Sequence, residues 1–232
     1  MPNADALDWP RIEGDLNARG VALAGPILSA EACAALAGLY PLQQNFRSRI
    51  VMARHGFGQG EYQYFAYPLP APIAAWRAGL YRHLAPIANG WHQAMGIARR
   101  FPTTLDAFLA ECHAAGQTRP TPLLLKYEAG DYNCLHQDLY GDLAFPFQVV
   151  VLLSRPGVDF EGGEFVLVEQ RPRMQSRPEV VPLLQGEAAI FAVAHRPVRG
   201  TRGTYRVTLR HGVSRLRAGA RYTTGIIFHD AR

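Results

Sequence analysis

Lysine is all but missing from this chain. Of the 24 basic residues among 232, one is a lysine, Lys126, and the others are arginines. The net charge of +5 therefore rides on guanidinium groups, which stay ionised and grip carboxylates or phosphates with paired hydrogen bonds. Cysteine is scarce too. Cys33, Cys112 and Cys134 are odd in number and far apart, with no CxxC pair and no zinc-finger spacing. This excludes a disulfide framework and a thiolate zinc site, and points to free thiols in a reducing compartment. Cys134 is expected to be a small buried apolar side chain. No apolar run reaches membrane-spanning length. The opening MPNADALDWPRIEGDLNARG lacks the basic start and apolar core of a signal peptide. A cytoplasmic protein with no membrane partner is the expectation. Repeats and low-complexity tracts are absent as well.

What is present is enough for a sizeable core: 48% hydrophobic and 10% aromatic residues. The first part reads as helical. LSAEACAALAGLY (28–40) has helical spacing behind Ser29 as N-cap. The stretch 71–95 suggests two helical pieces interrupted near Pro86 and Gly90. LDAFLAECHAAG (105–116) reads as a helix closed by Gly116. Between them, 47–70 reads as a hairpin or mobile loop suited to covering a site, with Tyr62, Tyr64, Phe65 and Tyr67 assigned to core packing ahead of a substrate groove.

After Pro122 the pattern changes to short strands: 123–128, 147–154, 163–170, 179–184, 187–194, 204–213 and 221–229, with Gly or Pro in most gaps. Seven or eight strands at this spacing predict a sandwich or barrel-like jelly roll. The fold class is thus α+β with a mainly β core. The chain reads as a single domain, 1–232, in which a mainly helical part, 1–121, packs on a β unit, 122–232.

The chemistry centres on YNCLHQDLYGD (132–142), where His136 and Asp138 stand two residues apart. On a strand, such a pair faces one way. A lone His-x-Asp is weak evidence, and support comes from TYRVTLRHGVSRLRAGARYTTG downstream. There His211 falls in phase with Tyr205, Val207 and Leu209, the apolar face, while Arg206, Thr208 and Arg210 take the solvent face. Ten residues on comes Arg221. Two histidines and one aspartate occupy one face of an octahedron and leave three positions open, which suits non-haem Fe(II) binding a cosubstrate and O₂. A cosubstrate dianion chelated at one end needs a cation at the other, and Arg221 can supply it.

YEAGDYNCLHQD, FEGGEFVL, QGEAAIF and RHGVSRLRAGARYTTGIIFH together resemble the motifs of the Fe(II)/2-oxoglutarate-dependent dioxygenases, in their prolyl-4-hydroxylase-like branch. The matching elements are Tyr127, His136-x-Asp138, Gly162–Gly163–Glu164, His211 and Arg221, over roughly residues 123–229. The whole chain looks like a bacterial group of oxygenases of this type. The resemblance implies a double-stranded β-helix, Fe(II) on His136, Asp138 and His211, and 2-oxoglutarate held by Arg221 with Tyr127 and Thr223, with O₂ as co-reactant. It implies hydroxylation of a substrate with release of succinate and CO₂. The ten-residue interval from His211 to Arg221 departs from the nucleic-acid demethylase branch, where the anchoring Arg lies further on, so base demethylation stands as the alternative. A non-catalytic metal-stabilised jelly roll is the alternative of another class.

Other candidates rank lower. His195 is the rival second histidine but enters an Arg/Gly/Pro loop; His229 reads as a structural hydrogen-bonder; His55, His83, His92 and His113 read as surface or core residues. Asp142 suits a turn, and Glu164 suits a strand edge or a hydrogen bond near the site equally well. The substrate is left as a protein side chain, a small metabolite or a nucleic acid. The arginines at 196, 199, 202, 206, 210, 215, 217 and 221 mildly favour an anionic one, although a solvated basic rim is the simpler reading.

Overall fold

A computed structural model describes residues 3–201 and 203–232; Arg202 of the basic run lies outside them. Four α-helices and fourteen strands are assigned among the described residues. α1 (Trp9–Arg19) starts at Asp8, whose carboxylate accepts from Arg11 N at 3.1 Å, and stops at Gly20 with φ +78. β1 (Val21–Pro26) follows directly. α2 (Ala30–Ala37) is capped by Ser29, which accepts from Ala32 N at 3.2 Å. Then come β2 (Phe46–Val51), β3 (Gly58–Gln59) and β4 (Glu61–Phe65). α3 (Ala71–Ala94) and α4 (Leu105–Ala114), the latter capped by Thr104, complete the helices.

The remaining strands are β5 (Leu123–Glu128), β6 (Tyr132–His136), β7 (Phe147–Leu152), β8 (Phe160–Gly162) and β9 (Phe165–Gln170). After them run β10 (Arg177–Val181), β11 (Glu187–Ala192), β12 (His195–Gly200), β13 (Gly203–Val213) and β14 (Leu216–Ile227). Every strand pair is antiparallel. The larger sheet runs β1-β11-β7-β14-β5-β4-β2, with β8 alongside β14. The smaller runs β10-β9-β13-β6-β3, with β12 alongside β13. The pair forms a jelly roll, a double-stranded β-helix with the helices on the larger sheet. β7 is buried along its whole length, because helices cover one face and the smaller sheet the other. Trp91 of α3, for example, meets Phe147 edge-on at 4.6 Å.

Several expectations change. Residues 71–94 form one helix, not two. Pro86 sits on its exposed side, and the buried row from Ile73 through Tyr81 and Leu84 to Trp91 holds the helix together across the missing hydrogen bond. The part before residue 121 is less helical than predicted: β1 joins β11, and β2 and β4 extend the larger sheet beside β5. Of the two readings of residues 47–70, the hairpin holds: β2 pairs with β4. His195 opens a strand paired with β13, not a loop. β10 ends at Val181, one residue before Pro182, which cannot donate to the ladder. Cys134 is exposed, because β6 bulges between Asn133 and His136. The other two thiols are buried.

Arg196 leaves the basic run altogether. Its guanidinium is buried, donates to Glu169 at 2.8 Å and to Asn17 O at 2.8 Å, and ties the end of α1 to the smaller sheet. A second buried pair, Arg77–Asp230 at 2.8 Å, joins α3 to the chain end. Arg77 also donates to the carbonyls of Ile227 and Phe228, while Tyr67 and His113 reach Asp230. Among the described residues no helix is long and apolar enough to cross a membrane.

Candidate active site

The two sheets enclose a cavity of about 350 Å³ whose walls include all six residues singled out in the sequence: Tyr127, His136, Asp138, His211, Arg221 and Thr223. Each arrives by strand register. His211 on β13 stands directly opposite His136 on β6, and Arg221 on β14 directly opposite Tyr127 on β5. Thr223 lies two residues along β14 on the same face. Asp138 lies just past the end of β6, so the His-x-Asp spans a strand end instead of one strand face.

His136, Asp138 and His211 each present a ligand atom within 4.8 Å of the others. Both imidazole Nε2 atoms lie 3.3 Å from the Asp138 carboxylate, one on each oxygen. His136 Nδ1 donates to the Cys134 carbonyl at 2.8 Å, so Nε2, which faces Asp138, is the nitrogen a metal would take in exchange for a proton. Tyr140 donates to Asp138 Oδ1 at 2.7 Å and orients the carboxylate. Burial alone would raise the Asp138 carboxyl, but hydrogen bonds from His136 and His211 overcome it and hold the acid well below the usual range. Burial pushes His211 down, keeping it neutral. Burial also acts downward on His136, but the Asp138 hydrogen bond and charge bring it above its ordinary value. An anionic carboxylate between two imidazoles, one held neutral, is a donor set for a divalent cation. His211 Nδ1 is buried without a partner.

Arg221 is the cation of the same cavity. It is 2% exposed, and its Nε and Nη1 have no hydrogen-bond partner. Its guanidinium lies 5.7 Å from the Tyr127 ring and 5.8 Å from that of Phe160. Burial lowers its pKa to about 10, which leaves it charged at neutral pH. The Tyr127 hydroxyl beside it is also buried without a partner. A buried cation with orphaned donors is costly unless an anion completes it. The Gly-Gly of the sequence motif makes the room. Gly163 has φ +63, and a Cβ there would fall 2.4 Å from Leu216 Cδ1 and 3.1 Å from Arg221 Cδ.

Sequence reasoning missed three contributors. Gln148 on β7 is 3% exposed and lines the cavity with its Nε2 unpartnered. Only its interruption of the apolar run FQVVVLL hinted at this. Tyr140 and Phe191, the latter packing on His211 at 4.7 Å, were not singled out. Tyr62 lines the cavity rather than serving only as packing, Tyr64 sits edge-on between Tyr62 and Tyr140, and Phe65 is core. The hairpin reaches the site, since Gly56 and Phe57 line the cavity. His195 is exposed on β12, Asp142 pairs with Arg232 at the surface, and Glu164 bonds Ser214. His229 accepts from Phe145 N at 3.1 Å, a structural role as expected.

Residues 60–231 match the Oxygenase-NA family, described as an oxygenase catalysing oxidative methylation of damaged DNA. The chain belongs to the Oxygenase-NA family. Relatives in two Mycobacterium tuberculosis strains, the uncharacterized proteins Rv2227 and MT2286, are each 52% identical over 167 residues, which is 72% of this chain and 72% of theirs. Among solved structures, a Pseudomonas putida prolyl-4-hydroxylase superposes with a TM-score of 0.58 at 15% identity, covering 97% of this chain and 99% of its own. A Burkholderia pseudomallei oxidoreductase of the 2OG-Fe(II) oxygenase family gives 0.53 at 16% identity, with coverage of 96% and 92%. At these identities the likeness is one of fold. Family membership makes the chain an oxygenase and sets the non-catalytic alternative aside.

Proposed function

We propose that this Oxygenase-NA member is a Fe(II)- and 2-oxoglutarate-dependent dioxygenase acting on alkylated bases in nucleic acid. The observation that carries the reading is the buried, unpartnered Arg221 in the same cavity as the His136–Asp138–His211 cluster. In this reading the cluster holds the iron, and Arg221 takes the distal carboxylate of 2-oxoglutarate, with the Tyr127 hydroxyl and Thr223 beside it. The bound metal and cosubstrate supply C–H hydroxylation with O₂, coupled to conversion of 2-oxoglutarate to succinate and CO₂.

The chain's own residues do the positioning. The Cys134 carbonyl fixes the His136 tautomer, Tyr140 orients Asp138, and Phe165 and Phe191 keep water from His211. Arg221 sets the cosubstrate's direction with paired hydrogen bonds. The family's description concerns damaged DNA, and the arginine surplus suits a polyanion. Hydroxylating an N-methyl carbon gives an N–CH₂OH group that splits into formaldehyde and the restored N–H. A cytoplasmic setting, where Fe(II) persists and thiols stay free, accompanies the reading.

One observation favours a second reading, hydroxylation of a protein side chain. The ten-residue His211–Arg221 interval follows the prolyl-hydroxylase-like pattern, and the fold is shared with such enzymes. Succinate and formaldehyde release decide between them. Protein reconstituted with Fe(II) and supplied with 2-oxoglutarate and O₂ is expected to release both in equal amounts when given an oligonucleotide containing an N-methylated base. Succinate release with proline-containing peptides, and none with the oligonucleotide, would contradict the nucleic-acid reading.

A further inference from the structure

Phe57 is 47% exposed, yet its backbone is pinned on both sides. Its N–H donates to Met52 O at 3.1 Å, and its carbonyl accepts from Cys134 N at 2.8 Å. Met52 is fully buried beneath the arch that carries it. Gly58 next door has φ +128, and a Cβ there would fall 2.4 Å from Tyr132 O, so the arch sits hard against β6. The Phe57 ring stacks on His55 with centroids 5.3 Å apart and planes 24° apart. This stacked pair borders the cavity, as Gly56 and Phe57 both line it, and Leu135 and Leu139 are exposed nearby along the β6 strand and its following loop. A rigid aromatic held in water at a cavity mouth awaits a partner.

Arg54 lies in the same arch. Gln59 of β3 pairs with Tyr132, and Arg215 lies over the Tyr132 ring at 5.1 Å. Arg54 and Arg215 are exposed and make no ion pair with a carboxylate among the described residues. The His55–Phe57 pair and the Tyr132–Arg215 pair thus flank the β3–β6 pairing beside the site, with Arg54 next to His55 in the chain. Aromatic faces that stack bases, interleaved with cations that meet phosphates, are what a single nucleic-acid strand binds. The His136–Asp138–His211 cluster, set inside the cavity with His211 buried, adds a second constraint. A base reaches it only after leaving its stack, which is least costly in an unpaired strand.

We infer that the His55–Phe57 arch, with Arg54, Tyr132 and Arg215, is the surface that holds single-stranded nucleic acid, Phe57 stacking on the base next to the one in the cavity. The inference rests on the nucleic-acid part of the proposed function and is independent of the cofactor assignment. The test is fluorescence anisotropy of the full chain, with Mn(II) in place of iron to prevent turnover. The probe is a labelled single-stranded oligonucleotide carrying one N-methylated base. Phe57→Ala is expected to weaken binding by about tenfold or more, the loss of one base stack, and Phe57→Trp to retain it. Arg54→Ala with Arg215→Ala is expected to weaken binding and flatten its dependence on salt. Phe57→Ala binding as tightly as the wild type would overturn the inference. So would tighter binding of the matching duplex, or no oligonucleotide binding at low salt, which would turn the surface over to a protein partner. If the oligonucleotide binds through Phe57 while the wild type shows no affinity for 2-oxoglutarate, the cofactor assignment fails and the surface stands.

Discussion

His211 and His136 are direct partners across the β13–β6 ladder, their rings 4.2 Å apart. A cross-strand pair of residues is among the most closely specified distances in a sheet, because a one-residue slip would turn either ring out of the cavity. The candidate metal site is therefore a property of strand register, completed by one loop carboxylate. Asp138→Asn keeps the side-chain shape but removes the charge between the two imidazoles. It is expected to lower Fe(II) affinity by tenfold or more with the fold intact, as read by metal titration alongside circular dichroism.

Arg221 is where stability and function oppose each other. A buried cation without a counter-anion burdens the apo protein, so Arg221→Met is expected to leave the apo melting temperature unchanged or raise it. The variant should gain nothing from 2-oxoglutarate, whereas the wild type, with metal, is stabilised by it in proportion to occupancy. Calorimetry of both proteins with and without ligand checks this, and a 2-oxoglutarate shift retained by the variant would count against the anchor.

Gln148 makes the same kind of prediction on a smaller scale. Its amide is buried with no partner, so Gln148→Leu removes a desolvated donor without opening a cavity. Denaturant unfolding is expected to give equal or greater stability. A loss of more than about 1 kcal/mol would mean that the amide is satisfied in a way the structure does not display.

The Arg77–Asp230 pair behaves oppositely. Asp230→Ala leaves a buried guanidinium facing two carbonyls and the Tyr67 hydroxyl, and is expected to cost about 3–5 kcal/mol in denaturant unfolding. A loss under 1 kcal/mol would show that the network is not a structural anchor.

His229 gives the pH dependence. Burial, aided by the Arg77 charge, pushes its imidazole down to about 4. The unfolded chain binds a proton near pH 6.5, whereas the folded chain resists until about pH 4. Stability from this group is therefore complete above pH 6.5 and is lost as pH falls toward 4, by up to about 3 kcal/mol. His229→Gln should flatten the slope of unfolding free energy in that window, and an unchanged slope would contradict the assignment.

Much of this was legible in the sequence, and the rest was hidden for definite reasons. β5 was readable to the residue, because LLLKYE is bounded by proline and glycine turns. His211 was readable because alternation along β13 put a polar ring on an apolar face. β1 was not, since VALAGP is short and its partner β11 lies more than 160 residues away. The Pro86 break was overcalled because burial, absent from local propensity, holds α3 in one piece. The Arg run at 196–217 showed few interleaved aromatics because the fold brings them from elsewhere, with Tyr132 under Arg215.

The most direct test of the central claim is anaerobic titration of Fe(II) and 2-oxoglutarate into wild type, His211→Ala and His195→Ala, followed through the weak visible charge-transfer band of the chelated complex. The account predicts a saturable band in the wild type, retained in His195→Ala and lost in His211→Ala. No band in a wild type shown to hold iron, or a band that survives in His211→Ala, would contradict it.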